Sequence, residues 1–168
     1  MISLITTLVL AISGTQQGVP VMMRTDLVTI TRTLADMAGV AAPEFDGNAP
    51  VLVLYDDDPA IPDFAWGRYC DGQVDAGEAP GCEGRANSIL VKYRTLTVNP
   101  RWGLHALSHE YGHRILGHSE HLAEAYACAK FPGRVPVIVH ATMCLPGGDA
   151  YALLPNGGQV LIPMGGRS

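Results

Sequence analysis

Residues 99–131 constrain this chain more than any other stretch, because they spell two helices together with their punctuation. Asn99-Pro100 is a helix N-cap followed by proline at the first helical position. A helix is predicted over 101–116, and Gly117 stands where a left-handed residue would end it. Ser119 can cap a second helix over 120–131, which stops at Pro132-Gly133. A connection as short as 116–119 folds the second helix back along the first, as an antiparallel hairpin.

The first helix carries His109-Glu110-Tyr111-Gly112-His113. Residues four apart lie on one helix face, one turn above the other, so two imidazoles at this spacing can aim at a single ion. Zn–N bonds of about 2.0–2.1 Å would fix zinc against that face. Glu110 is rotated from His109 by about 100° but stays on the metal side. It can reach a metal-bound water without ligating the metal, and serve as its general base. The same pentapeptide also arises on solvent-facing helices with an ion pair. What favours metal here is the legible start and stop of the helix and the second helix that follows at once.

A catalytic zinc needs a third protein ligand and an open position. Folding the chain near Gly117 sets residues 122–126 opposite His109 and His113, and Glu124 lies in that window. Glu120, one turn nearer the connection, is expected to overshoot. His118 is the rival third ligand if the helix breaks at or before Gly117, and His121 a weaker one. His140 and Tyr151 are candidates for stabilising an oxyanion. A structural role is the plainer expectation for His140, since nothing local positions it. His105 lies one turn before His109 and is expected at the periphery of the site or on the surface. Trp66, Tyr69 and Trp102 read as core rather than substrate platform.

With its HEYGHRILGHSEHLAEAYACA stretch, the chain resembles the active-site region of zincin metallopeptidases. Taking Glu124 as ligand, it resembles the gluzincin type, including the minimal ImmA/IrrE-like peptidases. That resemblance implies His109, His113 and Glu124 as ligands, Glu110 as base, Zn²⁺ as cofactor and a peptide or protein as substrate. It departs from the type in the short spacer between His113 and Glu124. The metzincin pattern is the second resemblance. It would make His118 the ligand, one residue too early in register, and would read Ala141-Thr142-Met143-Cys144 as a methionine turn. Residues 99–131 carry either resemblance.

The rest of the chain supplies a mixed frame. Leu27, Ile30, Leu34 and Met37 follow helical steps, with Thr25 as cap and Gly39 as stop. Residues 51–55 read as a buried strand running into Asp56, Asp57 and Asp58, a solvated strand end rather than a calcium loop. Residues 59–87 read as one long loop, residues 88–98 as β-rich, residues 135–139 as an apolar run, and 155–158 as a hairpin turn. The expected fold class is α+β, zincin-like, with the active-site helix and a short antiparallel partner helix against a small β-sheet. A single domain over 20–168 would contain it.

At 168 residues the chain can bury a core without help from metal or disulfides. A net charge of −5 with no basic stripe excludes nucleic acid as a natural partner. The absence of Lys/Arg clusters argues equally against anionic membranes. Residues 2–12 form an apolar run of signal-peptide length, too short to span a bilayer, with small residues at Ala11, Ser13 and Gly14. No basic residue precedes it, so a first buried element of the domain is the competing expectation for residues 1–14. Cys70, Cys82, Cys128 and Cys144 permit two disulfides, and sequence-local pairing gives Cys70–Cys82 and Cys128–Cys144. Four reduced thiols in a cytoplasmic protein are the alternative to this secreted, disulfide-bonded form. The function expected is zinc-dependent hydrolysis of a peptide. The alternative is a non-catalytic binding or structural protein of zincin shape, such as an assembly or virion component anchored by residues 2–13.

Overall fold

In a computed structural model the described residues are 14–16, 19–72, 81–133 and 137–164. The N-terminal apolar run, with the signal, anchor and first-element expectations attached to it, lies outside them up to residue 13. The chain is of mixed α+β class and divides into two compact units, residues 1–107 and 108–168.

In the first unit, β1 (Gly14–Gln16) pairs antiparallel with β2 (Val19–Val21). Strand β3 (Met23–Asp26) runs straight into α1 (Leu27–Ala38). Asp26, not Thr25, caps that helix: its Oδ1 accepts from the Thr29 N–H at 2.7 Å, while Thr25 is held in register with Val51. Gly39 ends the helix in the left-handed region at φ 63°. Leu27, Ile30 and Leu34 are buried as the periodicity expects, whereas Met37 in the last turn is exposed.

Strands β4 (Pro50–Leu54), β5 (Gly67–Cys70) and β6 (Ser88–Lys92) complete a sheet of order β3-β4-β6-β5. The central pair β4–β6 is parallel, and both edges are antiparallel. Central parallel strands are covered on both faces, which accounts for the unbroken apolar runs in β4 and β6. Two expectations are corrected here. The stretch 59–87 contains β5, whose Gly-Arg-Tyr-Cys has no apolar alternation and is a strand because β6 pairs with it. The β-rich stretch 88–98 breaks after Lys92 into α2 (Tyr93–Thr97). Its first turn is satisfied from elsewhere: Asp56 Oδ1 accepts from Arg94 N–H at 2.9 Å, and the Thr95 hydroxyl donates to Trp66 O at 2.9 Å.

At the end of β4, Asp58 Oδ1 accepts from Ala60 N–H and tightens the turn. Cys70 and Cys82 form a disulfide inside a cluster of Val21, Leu52, Leu54, Ile61 and Leu90. Lys92 is fully buried, its ammonium donating to Pro62 O at 2.8 Å.

Helix α3 (Pro100–Leu116) begins in the first unit and ends in the second. There α4 (Glu120–Lys130) is followed by β7 (Val137–Val139), β8 (Thr142–Cys144), β9 (Ala150–Leu153) and β10 (Gln159–Leu161). These strands form an antiparallel meander, and the turn expected at 155–158 joins β9 to β10. Within the apolar run at 135–139 only the last three residues are described, as β7. The segment proposed as a methionine turn is strand β8, preceded by a two-residue hairpin turn at His140-Ala141.

A second disulfide, Cys128–Cys144, ties α4 to β8 over a core of Ala125, Ala150 and Ile162. Both disulfides have the sequence-local pairing, and they fit an oxidising compartment. Among the described residues, no helix is long and apolar enough to cross a membrane.

Candidate metal centre

The two helices are cut where the sequence punctuates them. Asn99 Oδ1 accepts from the N–H groups of Arg101 and Trp102 at the start of α3. Gly117, at φ 85°, ends it by donating its N–H to His113 O at 2.9 Å. Ser119 Oγ then accepts from Leu122 N–H and starts α4 at once. Glycine at 112 allows α4 to return close along α3. A Cβ there would lie 2.9 Å from both Cα and O of Ala123, and 3.1 Å from Cβ of Tyr126.

This close crossing brings the side chains of α4 onto the ring of His109, which is buried. Glu124 Oε2 meets His109 Nδ1 at 2.8 Å, and Glu120 Oε2 meets His109 Nε2 at 3.1 Å. His113 Nε2 lies 3.1 Å from His109 Nε2 and 3.6 Å from Glu120 Oε2. Three donor atoms, two imidazole nitrogens and a carboxylate oxygen, therefore converge. In a tetrahedral zinc site with bonds near 2.0–2.1 Å, ligand atoms stand about 3.3–3.4 Å apart. The observed separations of 3.1, 3.1 and 3.6 Å bracket that value.

Tautomers sharpen the case. The Glu124 carboxylate accepts from His109 Nδ1–H, and the Gly117 carbonyl, 3.1 Å from His113 Nδ1, accepts from that ring. Wherever the rings are neutral, Nε2 is left as a lone pair, and the two Nε2 atoms face one another beside a carboxylate. These three atoms could hold a cation, whether a proton or a metal ion. The residues present could hold a metal ion: two nitrogen donors plus one oxygen, with each ring oriented through its far nitrogen, a donor set of the kind zinc takes.

Without metal, a proton takes the cation's role. Burial pushes His109 down, but the hydrogen bonds to Glu120 and Glu124 and the charge of Glu110 outweigh it and raise its pKa to about 10. His113 is also raised: burial opposes, while the Glu120 hydrogen bond and the Glu110 charge prevail. The two rings in turn hold the Glu120 carboxyl far below the usual carboxylate range. Glu110 is buried and close enough for its charge to act on both imidazoles.

The structure brings His109, His113 and Glu110 together, and places both candidate glutamates on His109, one at each nitrogen. Glu124 is fully buried and faces the Nδ1 side, with Oε1 3.5 Å from Cys144 Sγ. Glu120, expected to overshoot, is the carboxylate on the Nε2 side. Counting back from the turn locates Cα atoms, but a glutamate is long, and the ring spans two successive turns of α4. His118 is exposed on the connection after Gly117, and the convergence on the histidine pair runs to Glu120 instead.

His121 faces the meander, its Nδ1 2.6 Å from Thr142 Oγ1. Tyr151 lies on β9 in register with Met143 and Leu161. His105 stacks on Trp102 at 5.5 Å, and Trp102 meets Trp66 edge-on.

His140, expected to lack local positioning, has it. The β7–β8 turn holds His140 and Ala141 at φ 49° and 53°, and His140 Nε2 stands 3.6 Å from Glu120 Oε2. His109, Glu120 and His140 form a group whose ligand atoms all lie within 4.8 Å of one another. The signal for this placement is faint in sequence: a two-residue turn between short apolar strands lacks its usual Asn-Gly. Gly112 carried a signal too, in the small residues Ala123 and Ala127 that a close helix crossing needs. No protein-family model matches the chain, and no curated protein or solved structure does either.

Proposed function

We propose that the protein is a zinc-dependent hydrolase of zincin type, acting on peptide bonds, with His109, His113 and Glu120 as its metal ligands. The observation that carries this reading is the meeting of two imidazole nitrogens and one carboxylate oxygen near the buried Glu110, whose charge acts on both rings. Glu124 and Gly117 O hold the two rings by their Nδ1 edges. Zinc bound there supplies a Lewis acid that acidifies water and polarises a carbonyl. Glu110 takes the proton from the attacking water and delivers it to the leaving amine. Burial of Glu110 and His109 keeps bulk water from competing for that proton. The two disulfides support an oxidising, extracytoplasmic setting.

A purely structural zinc centre is the second reading, and His140 is the observation that favours it, because a fourth protein donor closes a site. The test is metal content and hydrolysis of a mixed fluorogenic peptide library by the full chain. Glu120→Ala is expected to lose stoichiometric zinc. Glu110→Gln is expected to keep zinc and lose about 100- to 10,000-fold in hydrolysis. Wild-type protein that holds zinc but cleaves nothing supports the structural reading; wild-type protein that holds no zinc refutes both.

A further inference from the structure

We propose that His140 is a displaceable fourth metal donor, which closes the centre at rest and yields its position to an incoming carbonyl or anion. This rests on the metal site proposed above and adds its regulation.

His140 offers the right atom in the right place. Its Nε2 is 3.6 Å from Glu120 Oε2, and its ring centroid is 5.3 Å from that of His109. The separation from Glu120 equals that of His113 from the same oxygen, and the ligand atoms of His109, Glu120 and His140 all lie within 4.8 Å of one another. Its attachment differs from that of the other two histidines. Those stand on a continuous helix, largely buried, with their Nδ1 edges fixed. The His140 side chain is 52% exposed and sits at the tip of a hairpin.

The hairpin tip is itself held under tension. His140 and Ala141 both occupy the left-handed region, which alanine in particular avoids, and such backbone persists only where the surroundings impose it. Those surroundings are identifiable. His121, the neighbour of Glu120 on α4, donates from Nδ1 to Thr142 Oγ1, and the Thr142 hydroxyl, 3.4 Å from His140 O, donates back to the turn. Two residues on, Cys144 is bonded to Cys128 of α4. The strand after the turn is therefore fastened to the helix that carries Glu120, and the backbone of His140 is tied to that strand while its side chain stays half exposed. A side chain so placed can reach a metal, and can leave it without disturbing the helices.

Cobalt(II) is the probe, loaded into the full-length protein with its disulfides intact, and azide is the competing ligand. His140→Asn removes the imidazole but keeps a residue that tolerates the left-handed region. Ala141→Gly relaxes the turn and keeps the imidazole. Wild type and Ala141→Gly are expected to share one visible d–d spectrum and to bind azide weakly. His140→Asn is expected to retain one cobalt with a changed spectrum, to hold it about 10- to 100-fold less tightly, and to bind azide at least about tenfold more tightly, since no donor must first be displaced. An unchanged spectrum and azide affinity in His140→Asn would overturn the proposal while leaving the three-ligand site intact. Failure of the wild type itself to take up stoichiometric cobalt or zinc would overturn both.

Discussion

Gly112 sits between His109 and His113, and its missing side chain permits the close approach of α3 and α4. In Gly112→Ala the new Cβ would lie 2.9 Å from Ala123 Cα and O and 3.1 Å from Tyr126 Cβ. Carbon–carbon contacts are comfortable at about 3.5–4.0 Å, so α4 must retreat by roughly 0.6 Å or more. Ala123 is fully buried and α4 is bonded to β8 through Cys128, so little of that movement can be absorbed by a flexible end. Overpacking of this kind costs about 1–3 kcal/mol of stability. The larger consequence falls on the donors, because Glu120 and Glu124 ride on α4 while His109 and His113 ride on α3. Metal geometry tolerates only about 0.2 Å, and the retreat is some three times that. Zinc affinity, measured by competition with a chelator, is therefore expected to fall by at least about tenfold. The zinc-dependent rise in Tm should shrink with it. Gly147→Ala, where nothing lies within 4 Å of the new Cβ, is the control and is expected to match wild type. A folded Gly112→Ala protein with wild-type zinc affinity would refute the argument that helix approach positions the donors.

Three further outcomes follow from other contacts. Glu124→Gln keeps the shape but weakens the acceptor for His109 Nδ1–H, so chelator competition should show zinc retained about 10- to 100-fold less tightly. Replacing both Cys128 and Cys144 by serine frees a loop of sequence separation 16 and should cost about 3 kcal/mol in denaturant unfolding; no loss would mean the unfolded chain is already constrained there. Asp26→Ala removes the cap of α1 and should cost about 1 kcal/mol at neutral pH. The backbone N–H and hydroxyl of Thr29 hold the Asp26 pKa below its ordinary value of 3.8. The folded value is the lower one, so the cap's contribution is complete above pH 3.8 and is lost as pH falls through the lowered value. Unfolding curves of wild type and Asp26→Ala should converge there.

What the sequence made legible is what is decided locally. Asn99-Pro100, Gly117 and Ser119 cut α3 and α4 because capping is a matter of a few neighbouring backbone groups, and the HEYGH spacing fixes two imidazoles on one face whatever surrounds them. Cys pairing followed sequence proximity for the same reason. The misses were decided at long range. Strand β5 exists because β6 hydrogen-bonds to it, and α2 because Asp56, thirty-eight residues before Arg94, caps its first turn. His140 reaches the donor group through fastenings between α4 and β8 that no local pattern announces. Glu120 and Glu124 meet opposite sides of the His109 ring, and helix periodicity places both on one face without saying which side each meets.

The choice of ligand between Glu120 and Glu124 can be forced experimentally, because an imidazole has two nitrogens and both are engaged. His109 gives Nδ1 to Glu124, so any metal at Nε2 must find its carboxylate elsewhere, and Glu120 is the one at hand. Its position is also favourable in charge. Glu120 lies in the first turn of α4, where the helix dipole stabilises an anion by about 0.3–1 kcal/mol, while His113 lies in the last turn of α3, where a cation is favoured. Glu120→Asp retains the charge and the dipole interaction but withdraws the carboxylate by one methylene, about 1.5 Å, several times the tolerance of a zinc site. Zinc affinity should therefore fall nearly as far in Glu120→Asp as in Glu120→Ala, although the net charge is unchanged. Were charge near the histidines all that mattered, Glu120→Asp would bind zinc like the wild type, and chelator competition on the two variants side by side separates ligation from mere electrostatic attraction.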